Sequence, residues 1–284
     1  MATLYKEGKY DEAAPLAERV VGLREKSLGP AHPLLAPALI NLGMVRIGQG
    51  RFDEAEIALR RSLALYEKAE GAPPHSVAQV LGALALTRAK QKDLGEAERL
   101  GERAVEVVEK ANGPEHPELA PHLRMLADIR RAKGDEGQAE EAYLRAYRIW
   151  AKEAGTEDAR AEMVMETLHC MAVASGRRRA LKDAGAIARE LDPVVGTILN
   201  GKAVHKPQPP YPNLAKDARV SGTVVVKIWV NEEGRVTRAN VICGHAFLAG
   251  VSATAARQAR FTPTLLDGKP VKVTGYITYN FVLY

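Results

Sequence analysis

The stretch Val204–Gly222, VHKPQPPYPNLAKDARVSG, separates two kinds of sequence. Its four prolines, Pro207, Pro209, Pro210 and Pro212, fix φ at about −65° and remove four backbone donors. Lys206–Pro212 is therefore predicted to run extended, close to polyproline II. Upstream the pattern is helical, and downstream it is mixed strand and helix. A helical array is expected over residues 1–192, a linker over 193–205 and a second domain over 206–284.

Composition fits two globular pieces. The 284 residues are 46% hydrophobic and 26% charged, enough for two cores, which excludes wholesale disorder. The net charge of +5 is uneven: Gly201–Tyr284 holds eleven Lys or Arg against four Asp or Glu, so the basic character belongs to the second domain. Those cations are scattered, without an arginine-rich run or interleaved aromatics. That pattern excludes nucleic acid as the reading and suits an acidic partner.

Cys170 and Cys243 fall in different expected domains, with no CxxC or Cys/His zinc spacing, so neither a disulfide framework nor a metal site is indicated. No apolar run reaches the roughly 18 uncharged residues of a membrane span. The uncharged stretch Gly244–Ala256 reads as a buried helix. The N-terminus has neither the charged start nor the apolar core of a signal peptide and opens partway through a repeat, which leaves room for targeting sequence upstream.

The helical part repeats itself at an offset of 42 residues. Four columns carry the match: Arg19, Arg61, Arg103 and Arg145; Lys26, Lys68, Lys110 and Lys152; Gly29, Gly71, Gly113 and Gly155; Ala13, Ala55, Ala97 and Ala139. A fixed period of this size means stacked supersecondary units that bury their apolar faces against one another. Within a unit, Leu35, Leu39, Leu42 and Val45 recur at helical steps, and Phe52–Tyr66 gives a second helix. Each unit is thus a helical hairpin. Glycines at Gly48–Gly50 and Gly134 mark the tight turns, and Gly29-Pro30 and Gly113-Pro114 end the second helices. Hairpins are predicted at Pro33–Ala69, Pro74–Ala111 and Pro117–Lys152, with Met1–Leu28 as a lone second helix and a degenerate last pair at Glu157–Leu191.

GRFDEAE followed by ALRRSLALYEKAEG and then His-Pro resembles tetratricopeptide repeats of the 42-residue kind found in kinesin light chains. The resemblance implies an all-α superhelix with a concave groove for peptides or partner proteins, often contacted by asparagines of the first helices. Only Asn41 keeps that residue; Ala83 and Met125 stand at the equivalent positions.

After the prolines, Asn213–Arg219 reads as two helical turns and Gly222–Val230 as a strand with Val224, Val226, Ile228 and Val230 facing a core. Asn231–Gly234 forms a hairpin loop, and Arg235–Cys243 returns antiparallel. Phe247–Arg260 has Leu248, Val251, Ala255 and Ala259 at helical steps, Leu266–Lys269 is a turn, and Val271–Tyr284 alternates as a long last strand. The fold class expected is multidomain: a helical-repeat array, then a small α+β domain with an antiparallel sheet.

Tyr211-Pro212, Ala215, then Gly222, Val224, Val226, Val230, Gly234 and Val236, then Phe261, Pro263 and Phe281 together resemble the C-terminal domain of the TonB family of periplasmic energy transducers. Ala259 departs from it, standing where the family usually has an aromatic. The resemblance implies a periplasmic protein that captures an extended peptide of an outer-membrane transporter or other envelope protein by strand addition. An inner-membrane anchor, if present, would lie outside this chain. Main-chain hydrogen bonds of an edge strand would then give affinity. The edge proposed by the sequence is Val271, Val273, Gly275, Ile277, Thr278, Tyr279, Asn280 and Phe281, with Gln208 and Tyr211 from the lead-in. A second reading stays open: a scaffold or assembly factor whose C-terminal domain docks or dimerises without energy transduction.

No cofactor is implied, and an enzyme is not expected. His169 and Cys170 are adjacent on a helix and point about 100° apart, Cys243 with His245 has no third partner, and no phosphate-binding glycine loop is present.

Overall fold

The computed structural model describes residues 2–156, 158–176, 179–191, 202–266 and 268–283. Most of the expected linker, along with Asp267 and Tyr284, lies outside the described residues. By contact the chain divides into two compact units, Met1–Ile149 and Trp150–Tyr284. The change in sequence character falls at the prolines, whereas the helix pair that precedes them sits in the second unit.

The first unit is built from α1 (Ala2–Lys6), α2 (Tyr10–Leu28), α3 (Ala36–Gly48), α4 (Phe52–Lys68), α5 (Pro74–Lys90), α6 (Leu94–Asn112), α7 (Leu119–Lys133) and α8 (Glu136–Ala154), the last running into the second unit. A 3-10 turn at Pro33–Leu35, opened by His32 Nδ1 accepting from the Leu34 amide at 3.2 Å, precedes α3. The hairpins fall where the 42-residue period places them. The alanine column is fully buried at Ala13, Ala55, Ala97 and Ala139, because helices there approach too closely for a larger side chain. The glycine column closes the second helices with φ between +72° and +95°. The arginine column ties neighbours together: Arg61 pairs with Glu25, Arg103 with Glu67 at 2.5 Å and Arg145 with Glu109 at 2.6 Å.

The turn glycines read from sequence at Gly50 and Gly134 belong to a longer column whose other members that reading missed. Gly8, Gly50, Lys92, Gly134 and Gly176 all have φ between +66° and +94°, at the turn from the first helix to the second. The first four share one C-cap: the amide of the following residue bonds back to a carbonyl five residues earlier, as in Arg51 N to Arg46 O and Asp93 N to Arg88 O, both at 2.9 Å.

The second unit contains α9 (Ala159–Ser175), α10 (Arg179–Leu191), β1 (Ala203–His205), α11 (Asn213–Asp217), β2 (Gly222–Val230), β3 (Val236–Cys243), α12 (Ala246–Gln258), β4 (Arg260–Phe261), β5 (Leu265–Leu266), β6 (Lys269–Pro270) and β7 (Val273–Phe281). The main sheet is antiparallel with strand order β3-β2-β7. Its expected face, Val224, Val226, Ile228 and Val230 with Ile277, Tyr279 and Phe281, packs under α12. Ala259 is fully buried there, although no aromatic stands in its place.

Three details differ from the sequence reading. Ala203–His205, counted as linker, forms β1 and pairs with β4, where the expected helix had been carried to Arg260. Strand β7 begins at Val273, because Val271 already donates its amide to Thr264 O at 3.0 Å. The sheet is also buried on its second face: Val225 and Lys227 are 1% and 2% exposed, and α9 packs against β2 and β3.

Candidate functional site

The last strand is an edge. Among the described residues β7 pairs only with β2, from Val273 with Val230 to Phe281 with Gly222. Its side chains alternate. Val273, Gly275, Ile277, Tyr279 and Phe281 point into the core, so only their main chain is available to a partner, while Thr278 and Asn280 are exposed. Asn280 Oδ1 accepts from Thr223 Oγ1 at 2.9 Å. The Tyr279 hydroxyl is buried without a hydrogen-bond partner among the described residues, and burial pushes its pKa up to about 12.

The proline lead-in meets this strand from outside. Lys206 Nζ donates to Thr278 O at 3.2 Å and lies 5.4 Å from the centroid of the Tyr279 ring. Tyr211 sets its ring edge-on to Phe281 at 5.4 Å and donates its hydroxyl to Val220 O at 2.6 Å, which fixes where the lead-in joins the sheet. Gln208 is exposed between them. Lys206 was not among the residues singled out from sequence; a lone lysine among prolines carries no signal for an edge contact.

On the second face the contacts are polar. Glu162 and Glu166 of α9 both reach the Lys227 ammonium, the latter at 3.3 Å, and the ammonium sits 5.1 Å from the Trp229 ring. His169 stacks on Tyr276 with ring centroids 3.7 Å apart. Burial, reinforced by the charge of Lys227, pushes the His169 pKa down against its bond to Met165 O. Cys170 Sγ lies 3.6 Å from Ile242 O, beside Cys243. The two cysteines, assigned by sequence to different domains, therefore meet in one unit.

In the first unit Asn41 is exposed on α3, and its counterparts Ala83 and Met125 are buried and partly buried. A cleft of about 450 Å³ opens between α6, α7 and α8, with Glu102, Glu106, Glu109 and Glu141 around Leu123 and Leu126. It includes neither Asn41 nor Met125. Among the described residues no cluster of His, Cys, Asp and Glu could hold a metal, and no helix is long and apolar enough to cross a membrane.

Comparison with known proteins agrees with this fold. The tetratricopeptide-repeat family model matches residues 2–68 and 76–152, about half of the chain, and the model of the Gram-negative bacterial TonB protein C-terminal domain matches 207–283. Neither match covers 153–206. Protein TonB of Vibrio cholerae serotype O1 is 32% identical over 78 residues, 27% of this chain, which spans only 32% of that relative's length. Among solved structures, a putative kinesin light chain with nearly identical TPR-like repeats from Podosopora anserina aligns at 24% identity and a TM-score of 0.54, over 66% of this chain and 92% of that one. BtubC (BKLC) from P. vanneervenii aligns at 18% identity and a TM-score of 0.53, over 65% and 74%. These two likenesses speak for the fold alone. Both matched families are built for interaction and neither is a catalytic one. This chain belongs to the tetratricopeptide-repeat proteins and carries a TonB C-terminal domain behind its helical array.

Proposed function

We propose that this chain is a periplasmic interaction protein whose TonB-type domain takes up an extended peptide of an outer-membrane transporter or other envelope protein as a strand beside β7. The observation that carries the reading is the side of β7 on which no strand pairs among the described residues: β7 is nine residues long, uncharged, and paired on its other side to β2 along its whole length. An exposed edge of that length invites pairing, and proteins that have no use for it usually blunt it with charge or proline. Lys206, exposed and long, can leave Thr278 O when a peptide backbone arrives. The helical array then acts as a scaffold that positions this capture, with its own protein partners at its surface.

Thr278→Pro tests the edge directly, since proline removes a donor and bends the strand. The variant is expected to lose capture of envelope proteins while keeping its circular dichroism spectrum. A photo-crosslinking residue in place of the exposed Asn280, which should not disturb the fold, supplies the independent arm and should trap the partner. If the proline variant stays folded and binds undiminished, and position 280 traps nothing, β7 is not the docking edge. The reading as a scaffold with a docking or dimerisation module then takes its place.

A further inference from the structure

On α9, Glu166 lies four residues after Glu162, three before His169 and four before Cys170, so the two glutamates form a row with His169 and Cys170 flanking it, about 100° apart, on one broad face. Each meets a residue of the sheet: the glutamates Lys227, the histidine Tyr276, and the cysteine the end of β3 at Ile242 and Cys243. The third contact differs from the others because it can become covalent. Cys243 stands opposite Val225 in the ladder, on the face that α9 covers, and both cysteines are partly exposed, open to a reagent from solvent.

We infer that Cys170 and Cys243 are a disulfide-forming pair that fastens α9 to the rim of the sheet when the protein meets a thiol-oxidising environment. The oxidant is a small-molecule or protein disulfide, in a compartment where such bonds persist. The Cys243 thiolate attacks one sulfur of that disulfide, forming a mixed disulfide and releasing a thiolate. Cys170, having given up its proton, attacks the Cys243 sulfur and displaces the second thiol. The pair loses two electrons and two protons, and the oxidant becomes two thiols. Cys243 is suited to the first step: its contact with the Cys170 thiol and the Val225 amide hold it below the ordinary thiol range, against the opposing effect of burial.

Such a bond closes a loop running from α9 through α10, the proline lead-in and β2 to the end of β3. A cross-link over so long a loop suppresses excursions in which α9 lifts from the sheet. Without it α9 meets the sheet only through non-covalent contacts, among them the Lys227 ion pairs, the His169 stack and the Cys170 contact with Ile242 O.

The experiment uses the full chain, reduced and then exposed to glutathione disulfide before alkylation. The expected product has lost the mass of two hydrogen atoms, takes up no alkylating reagent, and yields one cross-linked peptide joining Cys170 to Cys243. Two alkylated thiols, glutathione adducts alone, or chain-to-chain dimers would overturn the pairing. The fastening has its own readout in a glutamate-specific protease, whose sites Glu162 and Glu166 lie on α9. Cleavage there should be at least about tenfold slower in the oxidised than in the reduced chain, because proteolysis follows the population of the open form. The oxidant should not slow cleavage of Cys170→Ser or Cys243→Ser, whose remaining thiol can go no further than a mixed disulfide. Equal cleavage of oxidised and reduced wild-type chains would sink the fastening role.

Discussion

Lys92 occupies a position that its four counterparts give to glycine. Its φ of +66° places the Cβ against the following carbonyl, a cost of about 1 kcal/mol for an L residue. Nothing else demands the residue there, because the side chain is exposed and the cap is made by backbone groups alone. Lys92→Gly should therefore stabilise the array by about 0.5–1 kcal/mol, the strain relief outweighing the extra freedom of the unfolded chain. Denaturant titration of the two proteins measures it, and a lower midpoint for the variant would show that the left-handed turn is not strained. Gly234 is the opposite case, where both backbone and space forbid a side chain. Its φ is +78°, and a Cβ would fall 1.9 Å from Phe261 O, the carbonyl of a residue whose amide bonds Gly234 O at 2.9 Å. Gly234→Ala should cost about 3 kcal/mol or more, since strain adds to a clash that only backbone movement relieves. A variant with an unchanged melting temperature would contradict the close approach of this hairpin loop to β4.

At the scale of elements, α9 explains what the sequence left hidden. The search for helical faces looks for apolar residues at steps of three and four, and the face of α9 turned to the sheet is polar. It reads as a solvated side until Lys227 is found beneath it. Lys227 itself sits in a run of valines where alternation predicts a solvent-facing residue; it does point away from the core under α12, but it is buried, because the helix that covers it comes from before the prolines. The core under α12 was legible because Val224, Val226, Ile228 and Val230 alternate cleanly. The edge character of β7 was legible in its place as the last strand, but which of its side chains are spent on the core needed the register with β2. The His169 stack gives this element a pH dependence. Burial first, and Lys227 second, favour neutral imidazole in the folded state, so its pKa lies below that of the unfolded chain. As pH falls through the ordinary histidine range, about 6.5, the unfolded chain takes up the proton first. The stabilisation is thus complete above that range and lost progressively below it. Thermal unfolding followed by tryptophan fluorescence reports on this unit, since Trp150 and Trp229 both lie in it. The wild-type melting temperature should fall more between pH 8 and pH 5 than that of His169→Phe. Parallel pH profiles would remove His169 as the cause.

For the molecule as a whole, the repeat contacts carry a consequence for how long such an array can be. Several links between repeats join equivalent residues of adjacent repeats: Arg61 to Glu25, Arg103 to Glu67, Arg145 to Glu109, and likewise Gln49 to Asp11 and Gln91 to Asp53, both at 2.7 Å. Excising residues 71–112 removes one full period and brings Gly113 to the place of Gly71. Glu67 then faces Arg145, Glu56 faces Arg130 in place of Arg88, and Asp53 faces Lys133, a cation where Gln91 stood. Two pairs lose their complement: Arg130, which reaches Glu102, comes to face Arg60, and Arg60 loses Glu96 to Gln138. The shortened chain should fold, with the same helical content per repeat and a lower melting temperature because one interface is gone. Loss of cooperative unfolding would mean that the units are not interchangeable. If they are, array length is a quantity that gene duplication and deletion can adjust in whole periods, extending or shortening the reach of this part of the chain while the recurring contacts between repeats are kept.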